Sequence, residues 1–146
     1  MSKPVICPSR ANIDGNFYRQ ECLKKVLLPY LARYYPDGDN VFWPDLASPH
    51  YAQDTLKLLK EAPMSFVPHG QNPPNVPQVR PIEDFWCLVK QGVYKWGWEA
   101  KSETTLKARI RKVLTEIDEE VPRRMTERVG ERVRAADQQG AATLYH

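Results

Sequence analysis

Two short, mostly apolar runs, "NVFW" at residues 40–43 and "MSFV" at 64–67, flank a stretch of helical length. Nothing else in the chain restricts the fold as strongly. The stretch between them, "SPHYAQDTLKLLKEA", carries helical apolar spacing, with Ser48 as a plausible N-cap and Pro49 in its first position. Apolar strands joined by a helix belong to parallel sheets whose faces are covered. A strand–helix–strand unit is therefore predicted, and ligands in such sheets sit beyond the carboxyl ends of the strands. Asp45 follows the first of these strands after a single residue, Pro44. An acid there is either a turn or capping residue, which is common for Asp, or a ligand.

The remaining text extends this pattern. "PVIC" reads as a short strand over Val5–Cys7, bounded by prolines. Tyr18, Cys22, Val26, Tyr30 and Tyr34 recur every fourth residue, and Leu23, Leu27 and Leu31 widen the stripe. That predicts a long helix with a kink or break near Lys25, because Pro29 lacks the N–H that Lys25 needs. "HGQNPPNVPQVRP" has no periodicity and reads as a loop. Helical spacing returns with Ile82, Phe85, Trp86 and Val89. From Ser102 a second stripe runs through Leu106, Ile110, Val113 and Leu114 to Val133, divided by Pro122 after a cap at Asp118. Trp43, Phe85, Trp86, Trp96 and Trp98 are either stacking partners for bases or packing residues, and of these Phe85 and Trp86 are expected in the core. The predicted order is β-α-β-α-β-α-α, an α/β class.

Composition narrows the function classes. The chain has 146 residues, the length of one ordinary domain. No apolar run reaches the roughly 18 residues of a membrane span, and the start "MSKPVICPSR" lacks a secretory apolar core. Three scattered cysteines without C-x-x-C spacing fit a reducing, intracellular compartment. A net charge of +3 permits contact with nucleic acid without implying it.

Three segments carry a family resemblance: "FWPDLASPHYAQDTLKLLKE", "FVPHGQNPPNVPQVRPIEDFW" and "VYKWGWEAKSETTLKARI". They resemble the C-terminal part of the catalytic domain of mariner-superfamily transposases. The similarity is densest from Val41 to Ile110. It implies a ribonuclease-H-like α/β fold and cut-and-paste DNA transposition in the nucleus, dependent on Mg²⁺ or Mn²⁺. Matched by position, Asp45 corresponds to the family's second carboxylate and Glu83 to its third, so both are implied as catalytic metal ligands. No acid of this chain matches the family's first carboxylate. "PVIC" would be the third strand of the family's sheet. The resemblance therefore implies an incomplete catalytic domain over residues 1–100, inactive alone, followed by a C-terminal helical extension over 101–146. DNA and an intact transposase as dimer partner are the implied partners.

Each implied residue also has a plain structural role. Glu83 is an ordinary acid for a helix's first turn. His50 either approaches a phosphate or fills a helix start. Asp84 either substitutes as a ligand or faces solvent or a neighbouring helix. Lys90, Lys95, Arg109 and Lys112, with Arg111, either grip DNA phosphates or form a solvated face interleaved with Glu99, Glu103 and Glu116. Two other classes of function stay open: a non-catalytic DNA-binding or transposase-interacting remnant, and a helical interaction module over residues 102–136.

Overall fold

The structure is a computed structural model and describes residues 2–8, 11–74 and 76–139. It divides into two compact units, residues 1–74 and 75–146. The boundary falls within the proline-rich stretch rather than at residue 100, and the helix that begins at Pro81 belongs with the C-terminal helices.

In the first unit, Asp14 caps a helical segment by accepting a 2.7 Å hydrogen bond from Phe17 N. The segment opens as α1 (Gly15–Phe17), continues as a π-helical stretch (Tyr18–Leu27) and ends as α2 (Leu28–Tyr34). The break predicted near Lys25 takes the form of this change in winding. Wide turns run up to Leu27, and Leu28 N still bonds to Leu23 O. Tighter turns resume with Pro29 in the opening turn of α2, where a missing N–H is tolerated. The wide turns also move the buried stripe to Tyr18, Leu23 and Leu31, and leave Tyr34 exposed.

A turn at Gly38, whose φ is +72°, feeds β1 (Val41–Phe42). β1 pairs in parallel with β2 (Ser65–Phe66), Val41 opposite Ser65 and Phe42 opposite Phe66. Between them run a 3₁₀ turn (Ser48–His50) and α3 (Gln53–Glu61). The strand–helix–strand unit is thus present, but its helix starts later than predicted. Ser48 and Pro49 belong to the 3₁₀ turn, and the residue before α3 is Ala52, which makes no side-chain cap. Leu23, Leu59 and Tyr18 form the core, with Phe42, Leu58, Met64 and Phe66 packed on it.

Val5–Cys7 is not a strand. Pro4 and Pro8 remove N–H groups at both ends of the run, Val5 is exposed, and among the described residues β1 and β2 alone form the sheet. Helices therefore dominate, with one small parallel sheet.

The second unit contains a 3₁₀ turn (Pro77–Val79), α4 (Pro81–Val93), a further 3₁₀ turn (Lys95–Gly97), α5 (Glu103–Glu116), α6 (Glu120–Glu127) and α7 (Val129–Gln139). Ser102 and Thr105 cap α5 reciprocally. Asp118 accepts from Glu120 N at 3.0 Å, and Pro122 lies in the first turn of α6, the division predicted from sequence. A second division, between α6 and α7, has no proline to announce it. Phe85, Val89, Val93, Val113 and Leu114 form the core, joined by Trp98, Leu106, Ile110, Ile117 and Met125. Phe85 is buried as predicted, whereas Trp86 is half exposed. The packed face of α4 runs through residues 85, 89 and 93, and residue 86 lies one step (about 100°) around the helix from it.

Candidate functional site

Asp45 is reached through a held backbone. Phe42 closes β1, and Pro44, two residues on, is buried. The Pro44 carbonyl accepts a 2.8 Å hydrogen bond from Asn72 Nδ2. The same amide nitrogen lies 2.7 Å from the Tyr51 hydroxyl, and Asn72 Oδ1 accepts from Trp43 Nε1 at 2.8 Å. Tyr51 in turn donates to Val67 O, just past β2. Asn72 is 4% exposed. One buried amide thus ties the proline-rich loop to the carboxyl ends of both strands. Sequence reasoning missed it, because an isolated Asn among prolines carries no periodic signal.

The Asp45 side chain projects from this support and is mostly exposed. Its Oδ1 accepts from Ala47 N at 2.8 Å, a local turn of the kind Asp favours. The same oxygen lies 2.6 Å from His50 Nδ1. The carboxylate facing Nδ1 orients the imidazole ring. The His50 ring rests on Tyr18, with centroids 4.3 Å apart. Burial, then Cys22, Asp45 and Tyr51, hold the Tyr18 phenol well above its ordinary range, so it stays protonated. Burial first, then Cys7 and Glu21, push the Cys22 thiol up as well, which makes it a poor nucleophile.

The second implied carboxylate, Glu83, belongs to the other unit. It is exposed in the first turn of α4, where the helix dipole favours a negative charge. Its neighbour Asp84 is committed elsewhere: Arg132 of α7 lies 2.5 Å from its carboxylate. Of the adjacent acids, Glu83 is the one whose carboxylate makes no ion pair among the described residues.

The basic residues separate in the same way. Arg109 donates to the carbonyls of Val93 and Gly92, 3.3 Å each, closing the C-terminal end of α4. Lys112 stands 3.8 Å from Glu116 on its own helix. Lys95 lies over the Trp96 ring. Lys90 is exposed on α4.

Each of the two implied carboxylates, taken in its own unit, has the donor chemistry of a divalent-cation ligand. Asp45 Oδ2 and the Glu83 carboxylate are hard oxygens open to solvent. The number of donors falls short, since among the described residues no three His, Cys, Asp or Glu side chains gather as a metal-binding group. No helix among the described residues is long and apolar enough to cross a membrane. No family model, curated protein or solved structure matches the chain.

Proposed function

We propose that this chain carries two of the three carboxylates of a mariner-type DNA transposase, on part of a ribonuclease-H-like catalytic domain. The observation that carries the reading is the position of Asp45. It lies just beyond the carboxyl end of a parallel strand within a strand–helix–strand unit, where α/β sheets hold their ligands. The commitment of Asp84 to Arg132 supports Glu83 as the family's third carboxylate.

By the resemblance, Asp45 of the first unit and Glu83 of the second would each be a ligand for Mg²⁺ or Mn²⁺. When bound, such ions stabilise the attacking and leaving oxygens of in-line displacement at phosphorus, in DNA cleavage and strand transfer. This chain's own contributions are three. Asn72 fixes the backbone that leads into Asp45. His50 and Ala47 N occupy Oδ1 and leave Oδ2 open. The first turn of α4 places Glu83 at the positive end of the helix dipole. No described acid matches the family's first carboxylate, so the parent activity belongs to a complete domain acting on DNA in the nucleus, with an intact transposase as dimer partner. The alternative of a non-catalytic DNA-binding remnant gains little from Arg109 and Lys112, which are engaged within their own unit.

Thermal melts with and without Mn²⁺ test this reading. At a tenfold excess of Mn²⁺ over its Kd, the parent chain is expected to gain about 1.4 kcal/mol, read as a rise in melting temperature. The rise should shrink in both Asp45→Asn and Glu83→Gln. An equal shift in all three chains, or no shift in any, means that the two carboxylates do not hold a cation.

A further inference from the structure

Trp96 stands in the turn that follows α4. Its φ is +64° and its ψ 27°, the left-handed region that bulky side chains enter only under strain. It is the one non-glycine with a positive φ among the described residues. Gly97 beside it, with φ +68°, takes the same region without steric cost. A strained backbone persists where surrounding contacts hold it. Trp96 has little of that kind, because it is 89% exposed. Trp98 is the contrast: it packs on the core and lies 5.6 Å from the Arg109 guanidinium. Burial therefore accounts for Trp98 and leaves Trp96 without a structural reason.

The ring's neighbour is Lys95, whose ammonium stands 5.2 Å from the indole centroid. Across residues 90–101 the charged side chains are Lys90, Lys95, Lys101 and Glu99, an excess of positive charge along the segment that carries the exposed ring. Such a ring suits a ligand that is both planar and anionic. A lipid surface would ask for a broader apolar face than a tryptophan flanked by Lys95 and Gly97. A protein hot spot would ask for an apolar surround that excludes water.

We propose that Trp96 and Lys95 form a binding site for single-stranded nucleic acid. A base stacks on the open face of the indole, and the adjoining phosphate meets the Lys95 ammonium. The contact is sequence-tolerant, because every base offers a π face. It needs unpaired bases, because those of a duplex already stack on one another. The residues all belong to the second unit and need no metal, so the inference stands apart from the carboxylate reading.

The test is fluorescence anisotropy with a labelled oligothymidine, using the full chain and its Trp96→Gly, Trp96→Phe and Lys95→Ala variants. Trp96→Gly should weaken binding roughly tenfold or more, the loss of one stacked base. Trp96→Phe should retain most of the affinity, and Lys95→Ala should reduce its salt dependence. Glycine is at ease in the left-handed region, so Trp96→Gly should also raise the melting temperature, which separates lost binding from lost folding. The proposal is overturned by absence of binding in the parent, by unchanged affinity in Trp96→Gly, or by equal affinity for a duplex of the same length. It is also overturned if the chain ignores the oligonucleotide and binds anionic vesicles through Trp96, which would make the turn a lipid contact.

Discussion

Asn72 carries more of the first unit than its setting in a proline-rich loop suggests. Its amide meets Trp43 Nε1, the Pro44 carbonyl and the Tyr51 hydroxyl while almost fully buried. A buried amide without such partners would be destabilising, so the three contacts support one another. Asn72→Ala removes the shared partner from all three groups. The expected loss is about 2 kcal/mol, from desolvated groups whose hydrogen bonds are no longer made. Urea unfolding checks this through a lower midpoint with an unchanged slope. A loss within about 0.5 kcal/mol, typical of an ordinary surface substitution, would show that the loop is held by other contacts.

Among the elements, α4 and α5 approach each other closely because Gly92 lacks a side chain. A Cβ built there would lie 2.7 Å from Val113 Cγ1. In an exposed helix, Gly→Ala gains up to about 1 kcal/mol from propensity. Here the clash outweighs that gain, since overpacking costs about 1–3 kcal/mol. Gly92→Ala is therefore expected to lower the melting temperature. Val113→Ala opens the room that the new methyl needs. The double variant should then lose less than the sum of the two single variants, by about 0.5 kcal/mol or more. Strict additivity would mean that residues 92 and 113 do not limit the approach of the helices. The carbonyl of Gly92 also accepts from Arg109, so one position sets both the spacing of α4 against α5 and the closure of its C-terminal end.

At the scale of the whole molecule, two compact units each have their own core: Tyr18, Leu23 and Leu59 in one, Phe85, Val89, Val93, Val113 and Leu114 in the other. The two implied carboxylates divide between them, and no group of three metal ligands forms among the described residues. Two carboxylates alone do not fix two ions in the geometry that in-line attack requires. The isolated chain is therefore expected not to nick duplex DNA in Mg²⁺ or Mn²⁺. Nicking that disappears in Asp45→Asn would show that this chain completes the ligand set by itself.

Several features were legible in the sequence because their causes are local. Ser102 caps α5 through a residue three positions away. Asp118 bonds two residues ahead, and Pro122 divides the C-terminal helices through its own ring and missing N–H. The strands at Val41–Phe42 and Ser65–Phe66 were legible because the helix-length link between two apolar runs requires parallel pairing. Tertiary structure decided what depends on a distant partner. Val5–Cys7 has strand composition but forms no strand, because extended backbone needs another strand to satisfy its hydrogen bonds. Phe85 is buried and Trp86 half exposed because of which neighbours α4 meets, not because of hydrophobicity, which the two share. Asp84 pairs with Arg132, 48 positions along the chain. Sequence spacing placed Asp45 at the end of its strand; the fold alone supplied the His50 beside it and the Asn72 beneath it, because side-chain hydrogen bonds across a loop follow from where the backbone turns.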